Sequence, residues 1–157
     1  AERACAMTTR ALGEEHPLLG AMWSSLSHLW LAEGAAAEAL LLAERARALI
    51  MRHKGSEHAD TAGSTHAAGR ALLALGRVDE SVALLERAWA IYAAGPEVEL
   101  SRARAAHSLA QALWARGDHE RAREAAGWAQ AAMPACHQDE ARRIAAWSAG
   151  LAADASP

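Results

Sequence analysis

AERARALIMRHKGSEH, residues 43–58, closely matches an earlier stretch, AERACAMTTRALGEEH at residues 1–16. The two stretches are offset by 42 residues, and the same offset carries Gly34 onto Gly76. Gly117 follows Gly76 after 41 residues, in a similar local context. A fixed period of this length is typical of repeat architectures, in which each unit is one small supersecondary structure. The chain is therefore predicted to contain about three and a half copies of one unit.

Each unit has the hydrophobic pattern of two amphipathic helices. Trp23, Leu26 and Trp30 follow the i, i+3, i+7 spacing that places apolar side chains on one helical face. Alanine fills 44 of the 157 positions, and no stretch alternates β-branched and polar residues at period two, so helix is favoured almost everywhere. Helices are predicted at residues 1–11, 18–33, 36–53, 59–75, 79–94, 98–116, 119–133 and 138–153.

Two sets of glycines mark the turns. One set lies inside each helix pair: Gly34, Gly76 and Gly117. The other set follows the second helix of a pair, where a left-handed residue commonly ends a helix: Gly13, Gly55 and Gly95. The repeated stretch is thus a joint between units, and its histidines are predicted to serve the entry into the next helix.

A two-helix unit cannot bury its apolar faces alone, so neighbouring units are expected to stack around one continuous core. Small residues at the crossings, such as Ala39, Ala46 and Ala88, allow close approach. The prediction is an all-α solenoid of seven to eight helices that forms one domain over residues 1–157. Its units are expected at residues 1–15 (partial), 16–57, 58–98, 99–139 and 140–157 (partial or cap).

The unit resembles the tetratricopeptide repeat in its long, 42-residue form, which occurs in kinesin light chains and in many bacterial multidomain proteins. The first full copy matches the family pattern at His16, Pro17, Leu26, Trp30, Gly34, Glu38, Ala39, Leu42 and Ala46. The second copy matches it at His58, Ala62, Gly76, Glu80, Leu84 and Ala88. A looser third copy includes Ala103, Leu109, Ala110, Gly117, Ala122 and Ala129. The resemblance covers essentially the whole chain.

This resemblance implies a right-handed superhelix whose first helices line a concave groove for an extended peptide or a partner's helix. The family's first-helix asparagine, which usually holds the ligand backbone, is replaced here by Ser25, Ala67 and Ser108. A serine hydroxyl lacks the two-sided donor and acceptor geometry of an amide, so binding must use other groups.

In the repeat register, eight residues of the first helices are predicted to face the groove: Ser24, His28, His66, Arg70, Arg104, His107, Gln111 and Trp114. They suggest a mildly basic strip for an acidic peptide or a C-terminal carboxylate, with Arg70 and Arg104 as charged donors. The alternative is a solvated helix face that happens to carry two arginines. Trp114 is a candidate aromatic anchor, whereas Trp89 is predicted to pack in the core with its indole N–H bonded to a nearby acceptor.

The histidines do not predict a metal site. The spacing of His53, Glu57 and His58 is one residue too long for a zinc-hydrolase helix, and Gly55 interrupts it. His66 and His107 occupy equivalent places in adjacent units, but no carboxylate or thiol is placed by sequence to complete a metal site. No metal or cofactor is expected. Protonation of His66 and His107 below about pH 6.5 is expected to tune the affinity for an acidic ligand.

Several classes of function are disfavoured by composition and by missing motifs. A net charge of −3 gives no electrostatic footprint for nucleic acid, and no apolar run reaches the length of a membrane span. No phosphate-binding glycine loop, nucleophile elbow or complete zinc motif is present. The sequence therefore predicts a cytoplasmic, non-enzymatic module that binds a protein or peptide, without nucleic-acid or membrane partners.

Two alternatives to a free-standing binding module remain. The chain begins at a residue other than Met, within a predicted helix, so we expect it to be a piece of a longer protein. Its Ala/Arg-rich, Lys-poor composition suggests a bacterial source, where it would be the regulatory or sensor arm of a protease, kinase or signalling ATPase, acting through intramolecular contacts. A scaffold whose repeats stack end to end is the other alternative.

Overall fold

The computed structural model describes residues 7, 9–11, 13–95 and 99–153. Residues 9–11 are helical and precede seven longer helices. These are α1 (Pro17–Ala32), α2 (Ala36–Lys54), α3 (Ala59–Ala74), α4 (Val78–Ala94), α5 (Glu99–Arg116), α6 (His119–Ala131) and α7 (Gln138–Ala153). The described part of the chain contains no strand.

The order of helices confirms the predicted all-α solenoid of helix pairs. The helices α1 to α7 begin and end within two residues of their predicted bounds, while most of the helix predicted at 1–11 lies outside the described residues. Each helix packs chiefly on its neighbours in sequence, and first helices also meet across units, α1 on α3 and α3 on α5. No described helix combines the length and the apolar character that crossing a bilayer requires.

The turn glycines adopt the left-handed conformation at five of the six predicted places. Gly34, Gly76 and Gly117 have φ values of 82°, 74° and 88°, and the junction glycines Gly13 and Gly55 have 84° and 89°.

The prediction for Gly95 is wrong, because its φ of −93° and ψ of 147° are extended. Gly95 precedes Pro96, and the proline ring disfavours helical backbone in the residue before it.

The repeated junction ends in a histidine that caps the following helix. The backbone N–H of Leu18 donates to Nδ1 of His16 over 3.3 Å, and that of Asp60 donates to Nδ1 of His58 over 3.1 Å. Both histidines have extended backbone and directly precede the first helical residue. The predicted helix-entry role is therefore confirmed, and it explains why the junction occurs twice: each first helix needs an acceptor for its unpaired backbone donors.

The core runs along the helix crossings and is built largely from alanine. Ala39, Ala46, Ala88, Ala122 and Ala129 are all completely buried, as expected for close helix approach. Two crossings are especially close: a Cβ added at Gly20 would lie 2.5 Å from Cγ1 of Ile50, between α1 and α2, and one at Gly69 would lie 2.7 Å from Cγ of Leu85, between α3 and α4. Two buried serines tie paired helices together by donating to backbone carbonyls, Ser27 to Ala39 and Ser81 to Gly69.

Trp89 joins three neighbouring clusters of this core and stacks on Trp128 with ring centroids 4.4 Å apart. Its predicted core position is confirmed, but the predicted indole hydrogen bond is not. No acceptor within the described ranges lies in reach of its buried Nε1. The alanine-rich surroundings provide contact area without acceptors, which explains the missing bond.

Candidate partner-binding groove

The first helices of successive pairs line one concave surface with three adjoining hollows, which we call the groove. The central cavity has a volume of about 640 Å³ and is walled by α3, α5 and the start of α7. It contains five of the predicted site residues in addition to His28: His66, Arg70, Arg104, His107 and Gln111. A second hollow contains Ser24 and shares His28 with the central cavity. A third hollow contains Trp114 and shares Arg70 and Gln111. The fold thus brings all eight predicted residues to one surface.

His66 forms the floor of the central cavity. Its side chain is only 7% exposed, and a 2.9 Å hydrogen bond joins its Nε2 to the hydroxyl of Ser108 on the next first helix. Burial, assisted by the nearby positive charge of Arg70, lowers the pKa of His66 to about 3. His66 is therefore neutral at physiological pH and contributes hydrogen bonding, not charge.

Arg70 is the positively charged side chain of the central cavity that has no ion-pair partner among the described residues. It lies four residues after His66 on α3, so one helical face carries both side chains into the central cavity. Partial burial and the like charge of Arg104 both lower the pKa of Arg70, which nevertheless stays protonated at neutral pH. No carboxylate within the described part of the chain pairs with it.

Arg104, in contrast, is already paired. Its Nε donates to Oε1 of Glu140 over 2.7 Å and its Nη2 donates to Oε2 over 2.8 Å. Glu140 belongs to α7 and its side chain is only 21% exposed. The hydrogen bonds from Arg104 lower the pKa of Glu140, which keeps the carboxylate ionised at neutral pH. The sequence analysis treated the two arginines alike, whereas the structure pairs Arg104 with Glu140 and gives Arg70 no such partner among the described residues.

His107 closes the cavity towards α7. Its ring meets Trp147 edge-on with centroids 5.0 Å apart, and its Nδ1 is buried with no hydrogen-bond partner among the described residues. Burial is the largest cause of its lowered pKa. His28, at the other side of the cavity, also has a lowered pKa through burial and the charges of Arg70 and Arg104.

These lowered pKa values weaken the basis for the expectation that protonation of His66 and His107 below about pH 6.5 tunes the affinity for an acidic ligand. Burial penalises the imidazolium form at His28, His66 and His107, and Arg70 repels each of those charges. With a pKa of about 3, the ring of His66 stays neutral in the pH range where an exposed histidine gains a proton, whereas Glu140 partly offsets the shift at His107. No group of three metal-ligating side chains occurs within the described residues.

Trp114 lies half-buried at the third hollow, beside Leu31, Leu73 and Trp147. His119 packs against its ring with centroids 4.1 Å apart, and the guanidinium of Arg123 lies 5.9 Å from the ring centroid. Part of the indole therefore belongs to the core, and the remaining surface forms an apolar wall next to Arg70.

Six lining residues of the central cavity are not in the predicted site: Gly63, Tyr92, Ser101, Ser108, Glu140 and Ile144. Tyr92 belongs to a second helix, yet its hydroxyl reaches the groove where Gly63 has no side chain, and a Cβ there would lie 3.2 Å from the oxygen. Burial raises the pKa of Tyr92, and a hydrogen bond with Ser101 partly offsets this. Gly63, one turn before His66 in the sequence, was the available signal that a long side chain from the second helix could reach the groove.

The serines at the family's asparagine positions do not replace the missing amide. Ser25 donates to the carbonyl of Ala21 in its own helix, and Ser108 bonds to His66. Ala67, at the same position of the second copy, is 1% exposed. A ligand in this groove meets the guanidinium of Arg70, the ion pairs Arg104–Glu140 and Lys54–Asp60, neutral polar groups and an apolar wall. That arrangement is suited to binding an anionic group.

Comparison with known proteins finds similarity to tetratricopeptide repeats in part of the chain and to solved structures over most of it. The family model of the tetratricopeptide repeat matches residues 61–94. A crystal structure of nearly identical TPR-like repeats, from a protein assigned as a kinesin light chain in Podosopora anserina, is 27% identical. The match covers 98% of this chain and 84% of that one, with a TM-score of 0.71. A single-substitution variant of that protein is 28% identical, with the same coverage and a TM-score of 0.72. No curated protein matches the chain.

Proposed function

We propose that the chain, whose fold is similar to that of kinesin light chain-like tetratricopeptide repeats, is a member of that family and a non-enzymatic module whose groove binds an acidic peptide or partner protein. Repeats of this family generally mediate protein–protein interaction. The observation that carries the proposal is Arg70, a partly desolvated guanidinium without a carboxylate partner in the described chain, facing a cavity of about 640 Å³. An incoming carboxylate would satisfy it with charge-assisted hydrogen bonds.

The shape of the rest of the groove is better suited to an extended ligand than to a compact one. The three hollows are continuous through shared residues, from Ser24 at one end to Trp114 at the other. A rigid, preformed surface of this kind reduces the ordering cost on the protein side of the complex. Neutral donors and acceptors such as Gln111 are suited to the backbone of the ligand, while Trp114 offers apolar contact.

Arg70→Gln is expected to weaken the binding of an acidic peptide by roughly 10- to 100-fold, because one hydrogen-bonded charge pair contributes about 1.5–3 kcal/mol. The measurement is fluorescence anisotropy with acidic peptides selected from a synthetic library on the unsubstituted protein. The melting temperature should change little, since Arg70 makes no ion pair that the fold would lose.

The matched control is Arg45→Gln, which removes an exposed arginine from α2, outside the groove. Equal affinities for Arg70→Gln and the control would refute the assignment of the groove. Arg104→Glu is unsuitable for this purpose, because it would place two carboxylates together where Arg104 now meets Glu140.

A second function, regulation of a catalytic domain in the same polypeptide, is favoured by apolar side chains exposed on the second helices. Leu41 is 53% exposed, Met51 42% and Trp128 36%. In that case Trp128→Glu would change the activity of the longer protein more than Arg70→Gln does. The reverse order would support the groove.

The proposal also includes the setting of the module. We infer a bacterial cytoplasmic protein, from its alanine- and arginine-rich composition. We retain units of residues 16–57, 58–98 and 99–139, with partial units at both ends, as the working division of the domain. A partner of this kind would be protein rather than nucleic acid or membrane.

A further inference from the structure

The central cavity holds only three charged side chains, two guanidinium groups and one carboxylate, among its described lining residues. Arg70 is unpaired there, and Arg104 is neutralised by Glu140. Burial keeps the three histidines of the cavity neutral at physiological pH. The remaining lining groups are uncharged, so the cavity offers an incoming ligand the charge of one cation.

Glu140 is less exposed, and more firmly held in place, than the other paired glutamates of the described chain. It comes from α7, and Ile144 one turn later is 2% exposed and packs against Ala106 and Ala129. This anchor fixes the carboxylate over Arg104, where both oxygens accept a hydrogen bond. Its 21% exposure compares with 42–70% for the glutamates paired with Arg121, Arg77, Arg52 and Arg87. Reduced solvent contact strengthens its effect on any anion in the cavity.

We infer that Glu140 determines the specificity of the groove: by neutralising Arg104 it limits the central cavity to a single carboxylate and excludes a phosphate dianion. This inference rests on the proposed function of the groove. A carboxylate carries one negative charge and matches Arg70, whereas a phosphorylated side chain carries about −1.5 to −2 at pH 7. The second charge would lie near Glu140 in a partly desolvated cavity, where like charges are costly.

Glu140→Gln is expected to change which anion the central cavity prefers. The amide keeps the size of the side chain but removes its charge, which frees Arg104 and gives the cavity two cations. Two guanidinium groups are suited to a phosphate, since each can form paired hydrogen bonds with its oxygens. The ratio of phosphopeptide to carboxylate affinity should therefore rise by about tenfold or more.

The experiment uses four pools of nonapeptides that are randomised except at the centre. Three pools have amidated C-termini and carry glutamate, phosphoserine or glutamine at the centre; the fourth carries glutamine and a free C-terminus. Dissociation constants are measured at pH 7 and one fixed salt concentration. The unsubstituted protein should prefer the glutamate or the free C-terminus pool, and the difference between these two identifies the source of the carboxylate.

Two further variants separate charge from structural damage. Arg104→Gln combined with Glu140→Gln leaves Arg70 as the only charge, so the preference should return to carboxylate. Glu86→Gln makes the same chemical change at a glutamate that pairs with Arg121 outside the groove, and it should leave the preference unchanged. Melting curves check that every variant folds.

The outcomes are distinguishable. The inference is supported if Glu140→Gln raises the ratio of phosphopeptide to carboxylate affinity and the double variant reverses that change. An unchanged ratio, with binding still dependent on Arg70, overturns the role of Glu140 and leaves the proposed function intact. A phosphopeptide preference in the unsubstituted protein also overturns it. If none of the four pools binds, or if binding does not change in Arg70→Gln, both the inference about Glu140 and the proposed function are overturned.

Discussion

Leu85→Ala is expected to lower the free energy of unfolding by about 3 kcal/mol, within the roughly 2–5 kcal/mol typical of large-to-small changes in cores. Leu85 is completely buried on α4 and packs in the cluster that contains Val82, Leu109 and Leu113. Its side chain lies against Gly69 on α3, so the cavity would open at a close helix crossing. Urea denaturation monitored by circular dichroism measures the change.

The same contact predicts that the effect of Gly69→Ala on the free energy of unfolding depends on residue 85. The substitution should not stabilise the protein when Leu85 is present, and it should stabilise the Leu85→Ala variant. In the unsubstituted protein the new Cβ would lie 2.7 and 2.8 Å from two carbons of Leu85, and overpacking typically costs about 1–3 kcal/mol. This outweighs or cancels the gain of about 1 kcal/mol from better helix propensity. With Leu85→Ala the clashing atoms are gone, so Gly69→Ala should stabilise.

The matched control is Gly127→Ala in α6, where an added Cβ meets no atom within 4 Å. It should stabilise by about 0.5–1 kcal/mol in either background. Equal effects of Gly69→Ala and Gly127→Ala in the unsubstituted protein would contradict the close packing of α3 on α4.

The second large effect is a loss of stability in mild acid that depends on His66. Its pKa is about 3 in the folded chain, against 6.5 for an exposed histidine. As the pH falls below 6.5, the unfolded chain gains a proton that the folded chain cannot accept, so the unfolded state is favoured. The contribution is complete above pH 6.5 and is lost progressively down to about pH 3.

Between pH 6.5 and pH 4.5 this linkage amounts to about 2–3 kcal/mol for one deeply buried histidine. His66→Gln removes the titration and leaves a side chain able to bond to Ser108. The difference in unfolding free energy between the two proteins should therefore shrink or reverse as the pH falls, measured by urea denaturation at both values. A difference that stays constant across this range would show that His66 is not held neutral by the fold.

The fold was predictable because repetition and helix packing are local properties of the sequence. A 42-residue offset and the i, i+3, i+7 pattern fix the number and bounds of the helices, and the left-handed glycines follow from turn chemistry. Gly95 shows the limit of a purely periodic argument. Its repeat position indicated a left-handed turn, but the next residue, Pro96, has the stronger effect on its backbone.

The side chains of the groove were predictable only in part. Repeat register places His66, Arg70, His107 and Gln111 on one face, because equivalent helices present equivalent positions. The pairing of Arg104 with Glu140 depends on how α7 crosses α5, and the reach of Tyr92 depends on a gap at Gly63. Neither contact can be predicted from the repeat period alone. Burial then changes the chemistry, since the sequence alone could not show that the histidines are desolvated.

The most direct test of the groove is an NMR titration of the ¹⁵N-labelled chain with the tightest-binding peptide from the glutamate-centred pool. The account predicts that the largest shift changes lie on the inner faces of α3 and α5, around Arg70, and are lost in Arg70→Gln. Changes centred on the second helices, for example around Trp128, with α3 and α5 unaffected, would contradict it.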